Sequence, residues 1–266
     1  MSDIIGAVGG TAMGATALGY GIKFLHTVIG PGAANLGEVY RDWQDYRLRN
    51  WLKIGEAAER LGAAELGGSV NLRVAQRALD DSTMLSDPVM QAYAAGVLVG
   101  AKSDDREDDE ALPVLDLLNQ LTRRETTLHF QVYAALHRAA RAEDFPQEQW
   151  AEVEVELPLM PVLEELKIPA IDDGSETASI LRVLAGLARQ SLIDPNRGYG
   201  AVVRDRTLNS GPLEDFVVYC RPTIQGMTLH AWAHGVKDGA PRQLLRRDLP
   251  DIGIPTLGGT SVFLKH

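Results

Sequence analysis

Histidine is the side chain best suited to move protons or bind a metal near neutral pH, and two of the six in this chain stand close together. His230 and His234 are four residues apart in TLHAWAHG, a spacing at which two imidazoles on one helical face can share a metal ion. Ala231 stands where a zinc protease of that spacing carries its general-base glutamate, so zinc-assisted hydrolysis is not expected. Cys220, the single cysteine, would serve as a third ligand only if its strand returned beside the helix. The competing reading is structural: His234 directly before Gly235 is the pattern of a helix C-terminus, where an imidazole suits the helix dipole. Neither a GxSxG elbow nor a GxxxxGK phosphate loop occurs, and Thr260 and Ser261 after Gly258 and Gly259 have no recognisable base. The expectation is therefore no catalytic residue, no metal and no cofactor, and a protein that is not an enzyme.

A second pattern concerns association rather than reaction. Ile4 to Ile22 carries no formal charge, and six of its nineteen residues are glycine. Gly6, Gly10 and Gly14 fall four apart, which lines one helical face with positions where a partner helix can approach closely. Such a glycine zipper predicts a homo-oligomer, in lipid or in a soluble assembly. Asp3, with no Lys or Arg before the apolar stretch, argues against an export signal. The expected location is the cytoplasm, with the alternative of a peripheral or inserted position at the inner membrane.

Beyond the break at Gly30, Pro31 and Gly32, residues 34–61 contain no proline and repeat apolar residues at helical spacing. Arg41, Trp43, Arg47, Arg49, Trp51 and Lys53 give this helix a basic-aromatic character suited to lipid headgroups or phosphates. Glu38, Asp42, Asp45, Glu56 and Glu59 are spaced to neutralise it, which favours a solvated, ion-paired face.

These residues need elements to position them. Further helices are expected over 70–78, over 87–101 with Asp87 and Pro88 as cap and first turn, and over 111–119 and 124–141. The prolines and acidic residues of 143–175 read as a linker. Then come a helix over 176–192, short strands at 201–203 and 216–220, and a helix from Thr223 to His234. Helix, two-stranded wing, helix is the order of a winged-helix module, with Arg182, Arg189, Arg197, Arg204 and Arg206 available for phosphates. The predicted fold is mainly α: a Gly-rich segment over 1–29, a helical domain over 30–142, the linker over 143–175, and a small α+β winged-helix-like module over 176–266.

Composition narrows the functions this scaffold can serve. The chain has 266 residues, 45% of them hydrophobic, enough to bury a substantial core and to exclude wholesale disorder. Its net charge of −10 excludes a protein whose whole surface tracks phosphates, which leaves nucleic acid the less expected partner. One cysteine cannot make an internal disulfide, in keeping with a reducing compartment.

Three segments resemble the Abi-alpha (abortive infection alpha) family. They are GPGAANLGEVYRDWQDYRLRNWLKIGEAAERL from Gly30 to Leu61, ALDDSTMLSDPVMQAYAAGVLVGAKS from Ala78 to Ser103, and LPVLDLLNQLTRRETTLHFQVYAAL from Leu112 to Leu136. The resemblance covers about residues 30–140, with a weaker echo at Thr223 to Gly235. It implies a role in bacterial antiviral defence and supplies no catalytic residues. The leading expectation is a non-enzymatic defence protein that self-associates through the zipper and perturbs the membrane, triggered by a phage or host protein not named by the sequence. The alternative is a cytoplasmic winged-helix regulator or nucleic-acid-sensing adaptor.

Overall fold

A computed structural model of the chain describes residues 38–61, 71–101, 110–142, 145–170, 175–194, 202–204, 216–237 and 239–264. Gly6, Gly10 and Gly14 lie outside the described residues.

The helices begin where short-range chemistry starts them. Helix α1 spans Glu38–Arg60. Helix α2, Leu72–Asp81, starts at Asn71, whose side chain accepts hydrogen bonds from the amides of Arg73 and Val74. Asp87 caps α3, Pro88–Gly100, and Pro88 fills the first turn as expected. Helix α4 spans Ala111–Gln120. A reciprocal capping box between Thr122 and Glu125 opens α5, Arg123–Ala139. After a 3₁₀ turn at Gln147–Glu152 come β1, Val153–Pro158, and α6, Leu159–Glu165. Then follow α7, Ser175–Arg189, β2, Val202–Arg204, and β3, Phe216–Cys220. Thr223 caps α8, Ile224–Ala233, which ends at Gly235 with φ +73°. Helix α9, Pro241–Arg246, and β4, Ser261–Leu264, complete the chain's described elements.

Helix α3 is the centre of the molecule. Every residue from Val89 to Gly100 is buried, so no polar stripe marks its outer side. Its approach to α8 depends on Gly96, where a β-carbon would stand 2.1 Å from the carbonyl oxygen of Ala233. Polar ties hold α1 over the same region. Arg47 donates from Nε to the Leu79 carbonyl (2.9 Å) and pairs with Asp80, while the buried Asn50 amide donates to the Ser82 carbonyl at 3.0 Å.

Among the described residues, four strands form one antiparallel sheet in the order β2-β3-β1-β4. Strand β1 lies inside it, with Val155 opposite Cys220 on one side and Val262 on the other. Val153, Val155 and Leu157 face the core, fully buried. This corrects the reading of 143–175 as a linker. The glutamates that read as linker charge, Glu154 and Glu156, alternate with those apolar residues, which is the period of a half-buried strand.

The order α5-β1-α6-α7-β2-β3, with β1 beside β3, is the connectivity of a winged helix. The C-terminal α+β module is therefore present, and it draws its inner strand and first short helix from the stretch expected to be a linker. Among the described residues, one apolar cluster runs from Ile54 on α1 to Ile252 after α9, joining the helical layer to the sheet. No helix among the described residues is long and apolar enough to cross a membrane.

Candidate functional site

Among the described residues, buried titratable side chains gather between α5 and α8. His129, Tyr133 and His137 recur every four residues along α5, and His230 and His234 do so along α8. All four histidines are buried, together with Tyr93 of α3 and Tyr133. The His230 and His234 rings meet edge to face with centroids 4.6 Å apart, and His129 and His137 each lie 6.4 Å from His230.

Hydrogen bonds fix what these rings can do. A carbonyl can only accept, so His129 Nε2 carries the proton it donates to the Gly226 carbonyl at 3.0 Å. His129 Nδ1 is then a lone pair that accepts from the Tyr93 hydroxyl at 2.8 Å. His137 Nε2 donates to the Arg247 carbonyl (2.8 Å), and His234 Nδ1 to the Pro250 carbonyl (2.6 Å). The Tyr133 hydroxyl donates to the Leu192 carbonyl at 2.6 Å and accepts from the Thr223 amide at 2.8 Å. His129, Tyr133, His137 and His234 thus each clasp main chain distant in sequence onto α5 or α8. Gly226 permits this closure, since a β-carbon there would meet Tyr133 Oη at 1.9 Å.

Burial decides the charge state of the cluster. It pushes His129 down to about 3 against the pull of its Gly226 bond, and it drives His230 well below the ordinary histidine range. The neighbouring His234, His129 and His137 add to the effect at His230. His137 and His234 are lowered by burial as well. Burial pushes the Cys220 thiol up to about 12 and raises both tyrosines. The result is a set of neutral imidazoles, of which His129, His137 and His234 act as fixed donors. Two nitrogens, Nδ1 of His230 and Nε2 of His234, are buried without a hydrogen-bond partner.

The structure brings His230 and His234 together as the sequence spacing predicted, and His234 occupies the C-cap. Among the described residues no group of three or more His, Cys, Asp or Glu side chains is arranged to hold a metal ion. His129, Tyr133 and His137 were not singled out from the sequence. Their spacing of four along α5 repeats the His230–His234 spacing and was the available signal.

The basic-aromatic set of α1 is dispersed. Arg47 is spent on α2, and Trp51 is half-buried against the core. Arg49, which also donates to the Asp45 carbonyl, and Lys53 are exposed. Arg41 and Trp43 lie within α1, and their side chains are outside the described residues.

The second candidate surface is the outer face of α7. Ala178, Leu181, Arg182 and Arg189 are exposed there, with Leu181 38% exposed, while Ile180, Val183, Leu184 and Leu187 pack inward. Arg124 of α5 steadies the connection into this helix, donating to the carbonyls of Leu166 and Lys167, each at 3.1 Å. A face that sets two cations beside an exposed leucine suits a protein groove, while Arg197, Arg206 and the side chain of Arg204, expected as phosphate partners in the wing, are outside the described residues. Compared with known proteins, the chain matches no family model, no curated protein and no solved structure.

Proposed function

We propose that this chain is a non-enzymatic adaptor in an antiviral, abortive-infection response. Its winged-helix portion docks an acidic protein partner on the outer face of α7. The observation that carries this reading is the exposed Leu181 beside Arg182, with Arg189 two turns further along the same helix face, on the helix that follows the β1-α6 unit. The commitment of His129, His137 and His234 to main-chain carbonyls supports a scaffold role over acid-base chemistry. A photo-crosslinking residue at position 181 tests the proposal in cells. The expected adduct is protease-sensitive and is lost when Arg182→Glu and Arg189→Glu are combined. A nuclease-sensitive adduct supports nucleic-acid sensing instead, and absence of any adduct at 181 sinks the docking reading.

A second proposal rests on the spacing of Gly6, Gly10 and Gly14: self-association through the N-terminal segment, with or without a membrane surface. Light-scattering mass and liposome co-sedimentation on the full chain and on one starting at Pro31 test it. Loss of assembly or vesicle binding in the shorter chain supports the zipper, and identical behaviour of the two removes it.

A further inference from the structure

Strand β4 ends the sheet, and among the described residues no backbone hydrogen bond reaches its outer edge. Edge strands are commonly protected by charge, proline or a bulge. Ser261–Leu264, reading SVFL, has neither charge nor proline and pairs with β1 in unbroken register. The outer face of the sheet beside this edge is not neutral. Register places Glu156 between Tyr219 and Ser261, and Glu154 beside Phe263. The Tyr219 and Phe263 rings meet perpendicularly with centroids 6.2 Å apart, and Phe263 is 37% exposed. Glu154 lies 3.7 Å from Arg221, whereas Glu156 has no cationic partner among the described residues.

We propose that β4 accepts an extended basic segment of a protein partner as a fifth strand. The incoming main chain satisfies the free edge, and a lysine or arginine opposite Ser261 reaches across that small side chain to the Glu156 carboxylate. Two strand spacings separate such a residue from Glu156, about 10 Å, and extended lysine and glutamate side chains together cover that distance. Aliphatic stems of the incoming cations lie against Phe263. The choice of a basic partner follows from the lone Glu156 carboxylate, and this proposal is independent of the α7 face.

The test uses the full chain and a fluorescent peptide of alternating lysine and valine, with an alternating glutamate–valine peptide as its counterpart, read by anisotropy at physiological salt. The lysine peptide is expected to bind about tenfold more tightly than the glutamate peptide. Glu156→Gln is expected to weaken it about fivefold, while Glu164→Gln on the exposed side of α6 leaves it unchanged. N-methylation of alternate peptide amides, which removes strand donors without touching the protein, is expected to abolish binding. Amide exchange is expected to slow at Ser261–Leu264. Equal losses from Glu156→Gln and Glu164→Gln, or undiminished binding of the N-methylated peptide, overturn the proposal in favour of diffuse polycation attraction.

Discussion

Titrating the protein from pH 7 to pH 5 offers protons to histidines that the folded chain keeps neutral. His129 has its pKa lowered from 6.5 to about 3, with burial the first cause. Below pH 6.5 the unfolded chain binds a proton at this position and the folded chain does not, so stability falls as pH falls. The contribution is complete above 6.5 and is lost progressively down to about 3. At pH 5 the unfolded chain lies 1.5 units below the ordinary histidine value, which at about 1.4 kcal/mol per unit removes about 2 kcal/mol through His129 alone. His230 shifts in the same direction, and His137 and His234 add to it. A typical domain has only about 5–15 kcal/mol in total, so acid at pH 5 should bring this one close to unfolding. The assay is urea denaturation at pH 7, 6 and 5, followed by far-UV circular dichroism. Wild-type stability should fall with a slope corresponding to uptake of more than one proton on unfolding. His129→Gln, which can still donate to the Gly226 carbonyl, should flatten that slope and recover about 2 kcal/mol of the loss between pH 7 and pH 5. A wild-type stability that is level across this range, or a variant whose slope equals the wild type's, would refute the claim that buried neutral imidazoles hold the core.

Other consequences of the packing can be measured separately. Gly96→Ala forces a methyl against the Ala233 carbonyl and should cost about 2–3 kcal/mol, read as a lower denaturation midpoint with unchanged m value. Tyr133→Phe strands the Leu192 carbonyl and the Thr223 amide, and the same denaturation assay should register a loss of about 1–3 kcal/mol. The Cys220 thiol, buried and raised to about 12, should resist a thiol-specific disulfide reagent at pH 8 in the native protein and react fully in urea. Rapid native labelling would show that β3 is not held as described.

The sequence determined the elements whose signals are local. Asp87 followed by Pro88, and Thr223 with Gly235, mark helix ends through contacts within a few residues, and the structure places the ends of α3 and α8 there. The same holds for the apolar repeat of α7 and for strand β3 at Phe216–Cys220. Strand β1 was written in the sequence as an alternation, Val153-Glu154-Val155-Glu156-Leu157. The cluster of acids and prolines around it masked that period. Helix α3 shows a different limit: buried on all sides, it has a cap to announce it but no amphipathic stripe to say what it faces.

Only tertiary structure could decide the site. His129 and His230 are 101 residues apart in the chain, and a spacing of four along each helix fixes one helical face without saying what that face meets. The meeting depends on Gly96 admitting α8 against α3, on Gly226 admitting Tyr133, and on the main-chain carbonyls of Arg247 and Pro250 arriving at His137 and His234. Those carbonyls select the tautomers, and burial keeps the rings neutral. A histidine's residue type is fixed by the sequence, whereas its protonation state belongs to the environment that the folded chain builds around it.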